Sequence, residues 1–189
     1  MSLMSRRNAL TEIVGMIGSM EICKGWVLTM ATASRQTIKI FLISSEKDNA
    51  LKRELVIHLT ALLHANEISL TGEREVHPDR DWTKIVNSDL SSVDIILLLL
   101  SPDLLSSGYC FGAEMGQVLE RNDAGRVRLI PIMLRWTDLT GTSLSKFQLL
   151  PGKEADAWKP VIAWSDRDEV WQKIVTALRN VIAEIRSRR

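Results

Sequence analysis

Glu114 stands in SSGYCFGAEMGQVLE, residues 106–120, among small and apolar neighbours and shortly after a run of four leucines. The stretch reads as the start of a helix that follows a strand. With Phe111, Met115, Val118 and Leu119 as the buried stripe at helical spacing, Glu114 falls at the margin of that stripe. A carboxylate in this place has two readings. It is a helix residue favoured by the macrodipole of the first turn, or it is the reactive group of a site. Position alone favours the first and leaves the second open. Chain order says where a cleft would lie, because open α/β sheets bind ligands beyond the carboxyl ends of their strands. After the first strand come Ser44, Ser45 and Glu46. After the second comes the loop at 71–80, and after the central strand come Ser101, Pro102 and Asp103, then the helix of Glu114.

Several chemistries are excluded by what these positions lack. There is no GxxxxGK[ST] loop and no GxGxxG after the first strand, since GAEMG at 112–116 lies inside a helix; a standard nucleotidase or dinucleotide dehydrogenase is not expected. A phosphoacceptor domain would cluster carboxylates at the ends of the first and third strands to hold magnesium, but the first strand ends in two serines. His58, His64 and His77 share no ligand spacing, and Cys23 and Cys110 lie far apart, so neither a zinc site nor a disulfide framework is implied. GxSxG is absent. Cys110 reads as a small buried residue, because no His or Lys lies nearby in sequence to activate its thiol.

The elements that must position these residues alternate along the chain from Thr37 onward, in the pattern of a parallel α/β domain. Strands are expected at 38–43 (IKIFLI), weakly at 68–70, at 93–100 (VDIILLLL), at 127–134 (VRLIPIML, with Pro131 marking a bulge or an edge) and at 161–163. Helices are expected after Asp48 or Asn49 as cap, over 81–90 with Trp82 on the apolar face, through Glu114, and over 167–185. The polar TGEREVHPDRD at 71–81 reads as an exposed loop, and 136–160 as irregular with a short helix near 144–150.

Composition adds bounds. Twenty-four basic against 23 acidic residues, a net charge of +1 and 46% hydrophobic residues describe a soluble globular domain with no basic excess for nucleic acid. The longest apolar run is too short to span a bilayer. The segment after Arg6 and Arg7 is broken by Glu12, Gly15, Gly18 and Glu21, so no export signal is expected, and a reducing cytoplasm suits the two cysteines. Residues 1–36 form a separate extension, readable as a docking helix, a self-association motif, or a translated stretch upstream of Met30; the main domain is 37–189.

With these elements in place the chain resembles a bacterial TIR domain of the antiphage and signalling type. The resemblance rests on KIFLISSEKD (39–48), similar to the family's FISYSxxD; on REVHPDRDW (74–82), similar to RxxxPGxxW; on VDIILLLLSPDLLSSGYC (93–110) followed by AEM; and on VRLIPIMLR and KPVIAWSDRDEVW further on. It implies a flavodoxin-like fold with a five-stranded, mainly parallel sheet and helices on both faces. It also implies a domain that assembles with other TIR domains or with a sensor protein, or that cleaves NAD at its nicotinamide glycosidic bond. The family's catalytic glutamate follows an aromatic-Cys pair, which carries over to Glu114 after Tyr109 and Cys110. NAD is then the substrate and no cofactor or metal is called for.

One carboxylate suffices for that reaction. Nicotinamide leaves as a neutral molecule from a cationic ring, so no acid is needed at the leaving group, unlike ordinary glycoside hydrolysis. An anion near the ribose stabilises the oxocarbenium-like state. Ser44, Ser45, Trp82 and Tyr109 are the expected substrate contacts, each with a plainer alternative: turn chemistry for the serines, core packing for Trp82 and Tyr109. Two departures bear on affinity: ISSEKD lacks the aromatic usual after the first strand, and Asp79 follows Pro78 where the family often has Gly. The alternative is a non-catalytic interaction module. A nucleoside deoxyribosyltransferase is a third reading, against which the REVHPDRDW loop argues.

Overall fold

The computed structural model describes residues 36–76, 92–154 and 157–189. The readings made for the N-terminal segment and for the helix at 81–90 lie outside them. Four parallel strands, β1 (Ile38–Ser45), β2 (Ile68–Val76), β3 (Ile95–Leu100) and β4 (Arg128–Met133), form one sheet in the order β2-β1-β3-β4. The helices are α1 (Asn49–His64), α2 (Pro102–Ser106), α3 (Ala113–Asp123) and α4 (Arg167–Ser187). A small antiparallel ribbon, β5 (Lys153–Glu154) with β6 (Ala157–Trp158), lies apart from the sheet ladder.

Strand periodicity divides the core in two. In β1 and β3 the side chains of Ile40, Leu42, Ile95 and Leu97 join Leu55 and Leu59 of α1 and Ile174 and Leu178 of α4. Their neighbours Phe41, Ile43, Ile96 and Leu98 pack on the other face with Leu104, Tyr109, Met115 and Val118. Every residue of β3 is buried, which is why IILLLL shows no alternation in the sequence. Trp171 of α4 is fully buried and its Nε1 donates to Glu54 of α1 at 2.9 Å, tying the two helices that cover one face.

The α/β, flavodoxin-like class is as expected, with helices on both faces, but three segments differ. Residues 161–163, read as the fifth strand, form a 3₁₀ turn; Val161 packs in the core and Ile162 N–H donates to the Leu134 carbonyl at 3.1 Å, with no ladder formed among the described residues. The fifth position is instead a single parallel bridge between Ile132 and Leu150. Polar TGEREV, read as loop, continues β2 to Val76, because its backbone stays paired with β1 as far as Ser45 and Val76, and that pairing uses main-chain groups whatever the side chains. The helix expected near 144–150 is a 3₁₀ turn, Ser143–Lys146.

At the other edge, β4 spends its outward groups locally. Leu129 N–H donates to Asn122 Oδ1 at 3.0 Å and Met133 N–H to the Leu150 carbonyl at 2.8 Å. Between them Pro131 has no N–H, and its carbonyl accepts from Leu150 at 2.9 Å.

Candidate functional site

The chain runs from β1 outward to β2 and then returns to the other side of β1 with β3, so the strand order reverses between the carboxyl ends of β1 and β3. In open α/β sheets that reversal opens the ligand crevice. Ser44, Ser45, Asp48, Ser101 and Asp103 all lie at this end of the sheet.

The two serines part ways. Ser44 continues the alternation of Ile40 and Leu42 toward the α1 face, is fully buried, and its Oγ has no hydrogen-bond partner. Ser45 follows Phe41 and Ile43 toward the α3 face, and its Oγ accepts the Lys47 N–H at 3.4 Å, capping the 3₁₀ turn Glu46–Asp48. A single pocket on one face of the sheet therefore does not take both hydroxyls.

Between the strand ends sits a closed ionic quartet. Arg135, two residues past β4, donates from Nε to Asp48 Oδ1 at 3.0 Å and from Nη2 to Asp103 Oδ2. Ser101 Oγ donates to Asp48 Oδ2 and accepts the Leu104 N–H at 3.2 Å as the cap of α2, while Lys47 Nζ donates to Asp103 Oδ1 at 2.7 Å. Asp48 is 2% exposed. The Lys47 hydrogen bond, then that of Arg135, holds the Asp103 carboxyl below its ordinary value. Burial works to lower the Arg135 value, but its bond to Asp103 and the charges of Asp48 and Asp103 outweigh it, and the guanidinium is held above its usual range. The first strand ends in its two serines, and the carboxylates of Asp48 and Asp103, from the loops beyond the first and third strands, close around a guanidinium. Among the described residues no group of three or more His, Cys, Asp or Glu is placed to hold a metal ion.

From this quartet a run of backbone hydrogen bonds leads to Glu114. Leu105 N–H donates to Ser101, Gly108 to Leu105, Phe111 to Gly108, Gly112 to Tyr109 and Gly116 to Gly112, at 3.0–3.3 Å. Gly108 turns the chain at φ +75°, a left-handed conformation that favours glycine. Gly112 is the N-cap of α3 and offers no capping side chain, and Glu114 occupies the first turn at 8% exposure. Its carboxylate folds back over the helix start: Oε2 lies 2.7 Å from where a Cβ on residue 112 would stand. Among the described residues that carboxylate has no hydrogen-bond or ion-pair partner.

Tyr109 is 2% exposed and Cys110 5%, both within the α3-side core, and burial pushes the Cys110 thiol up to about 12. Phe111, expected in the buried stripe, is 65% exposed, because the turn Tyr109–Phe111 precedes α3 and does not share its helical phase. Trp136, next to Arg135, is 60% exposed. Trp82 lies outside the described residues. A cavity of about 410 Å³, lined by Asp94, Arg126, Arg128 and Glu184 among others, opens at the amino end of the sheet and so away from Glu114. No helix among the described residues is long and apolar enough to cross a membrane.

A parallel sheet with its strand order reversing at β1 and β3 and helices on both faces defines a flavodoxin-like α/β domain. Residues 40–160 match the family model for the TIR domain, and the chain belongs to that family. It is also 29% identical over 146 residues to an uncharacterized protein, y4lF, of Sinorhizobium fredii (strain NBRC 101917 / NGR234), across 77% of this chain and 44% of that protein. The chain thus spans less than half the length of this relative.

Proposed function

We propose that this TIR domain cleaves NAD⁺ at the bond between nicotinamide and ribose, with Glu114 as the catalytic carboxylate, in the setting of bacterial defence signalling. The observation that carries the reading is the state of that side chain: a glutamate 8% exposed as a residue, whose carboxylate has no partner among the described residues, in the first turn of α3, the second helix after the central strand. A structural acid at that burial ordinarily finds a hydrogen bond or a counter-charge. A carboxylate reserved for a developing cation does not.

As the glycosidic bond breaks, its electron pair leaves with the pyridinium nitrogen, giving neutral nicotinamide and a ribosyl oxocarbenium ion that the Glu114 carboxylate stabilises. Capture by water releases a proton and ADP-ribose; capture by a group within the same molecule gives a cyclic isomer. Assembly with a second TIR domain or a sensor protein completes the site and switches it on. The test is nicotinamide release from NAD⁺ by the full chain, with and without a crowding agent. Release that is lost in Glu114→Gln and Glu114→Ala supports the assignment, and release unchanged in Glu114→Ala removes it.

A non-catalytic interaction module is the second reading, favoured by the exposed aromatics Phe111 and Trp136 at the sheet's carboxyl end and by the absence of an aromatic after β1. Self-association without nicotinamide release under crowding would select it.

A further inference from the structure

We propose that Arg135 is a positioning residue for Glu114, acting through Asp48 and Asp103. The inference rests on the glycosidic reading of Glu114 and extends it to a residue on a different strand.

The last sheet hydrogen bond between β3 and β4 joins Leu134 N–H to the Leu100 carbonyl at 2.9 Å. Past that point no ladder fixes the loops, and side chains must do so. Arg135 is the first residue beyond it, and its fork spans the loops after β1 and β3 at once: Nε on Asp48, Nη2 on Asp103. The pairs join positions 87 and 32 residues apart in sequence.

The quartet is a lock rather than a ligand site on two counts. All four carboxylate oxygens are taken, Asp48 by Arg135 and Ser101, Asp103 by Lys47 and Arg135. Two cations face two anions, so neither charge is left over for an ionic ligand. What the lock holds is the start of α2. Asp103 lies in the first turn of α2 and Ser101 caps it, and from there the backbone bonds described above form two overlapping series, Ser101 to Phe111 and Tyr109 to Gly116. Leu104 and Tyr109 anchor that run in the core at 0% and 2% exposure. Displacing Asp103 therefore moves a hydrogen-bonded relay whose far end carries Glu114, while α1 and α4 keep their own core on the other face.

The experiment compares wild type, Arg135→Lys and Arg135→Met in two measurements on the full chain. Backbone hydrogen exchange is expected to speed up at least about tenfold over 104–116 in Arg135→Met, with α4 protection unchanged. Nicotinamide release is expected to show kcat lowered at least about tenfold with KM nearly constant, since a small misplacement of a catalytic group is costly. Arg135→Lys, which keeps the charge but loses the fork, falls between the two. Unchanged exchange over 104–116, or exchange rising equally in α4, overturns the proposal, as does faster local exchange with unaltered kcat. If the wild type releases no nicotinamide, the glycosidic reading falls, and the exchange comparison alone decides whether Arg135 sets the 104–116 segment.

Discussion

The carboxylate of Glu114 occupies space that Gly112 leaves empty, with Oε2 2.7 Å from the position a Cβ on residue 112 would take. Gly112 has φ −79° and ψ 170°, a conformation open to any residue, so the constraint on it is this one contact. An added methyl meets the flexible end of a side chain, which yields cheaply but not without moving.

Gly112→Ala should therefore separate activity from stability. Urea melts are expected to differ from wild type by no more than about 1 kcal/mol, the scale of an N-cap change, while nicotinamide release falls at least about tenfold as the carboxylate is displaced. Full activity in this variant would show that the observed Glu114 rotamer is not the working one.

Asp48 is almost wholly buried and holds Arg135 and Ser101 together. Asp48→Ala leaves the Nε–H of a half-buried guanidinium and a buried hydroxyl without their acceptor, for an expected loss of about 2–3 kcal/mol in urea unfolding. A double-mutant cycle with Arg135→Met should show strong coupling, because each single change already breaks the pair.

Asp103 has a folded pKa below its ordinary value of 3.8. Its ionised form is favoured in the native state, so its contribution is present in full above the unfolded pKa and is lost as pH falls through the folded one. The stability gap between wild type and Asp103→Asn is expected to be constant from pH 5 to 7 and to narrow below about pH 4, as read by denaturant midpoints at a series of pH values.

Trp171 packs in the α1–α4 core and donates to Glu54, which also meets Arg167 Nε at 3.2 Å. Trp171→Phe keeps most of the packing and should cost about 1–2 kcal/mol for the lost bond and volume, whereas Trp171→Ala should cost about 3–5.

With its pKa at about 12 and 5% exposure, the Cys110 thiol is neutral at physiological pH and shielded. Labelling by an aromatic disulfide reagent at pH 8 should be negligible for this residue in the folded chain and complete in denaturant. Rapid labelling of Cys110 in the native state would show that the 109–112 turn opens readily.

What was legible in the sequence follows from the range of the forces involved. Helical stripes such as Ile174 and Leu178, and the unbroken IILLLL of a doubly covered strand, are local periodic signals, and both located their elements. The 161–163 segment misled because three apolar residues do not distinguish a strand from a buried turn. Phe111 misled because its spacing to Met115 and Val118 matches a helical stripe, while the helix begins only after Gly112 and does not share its phase with the preceding turn. Ser101 and Asp103 were visible as strand-end residues, and Asp48 as a helix cap. Their joint partner Arg135 was not, since a guanidinium 32 and 87 residues away leaves no periodic trace. Glu114 stood out through the resemblance of its aromatic-Cys motif, since its place at the margin of the stripe favoured a plain helix residue.

The outward edge of β4 bears on how such a domain keeps company with its own kind. Leu129 and Met133 have committed their amides, and Pro131 has none to give. A foreign strand arriving there finds no row of donors to grip, so crowding at high local concentration does not zip this edge into a continuous sheet. A contact between copies on that side would have to draw its order from side chains, since the strand's outward donors are already spent.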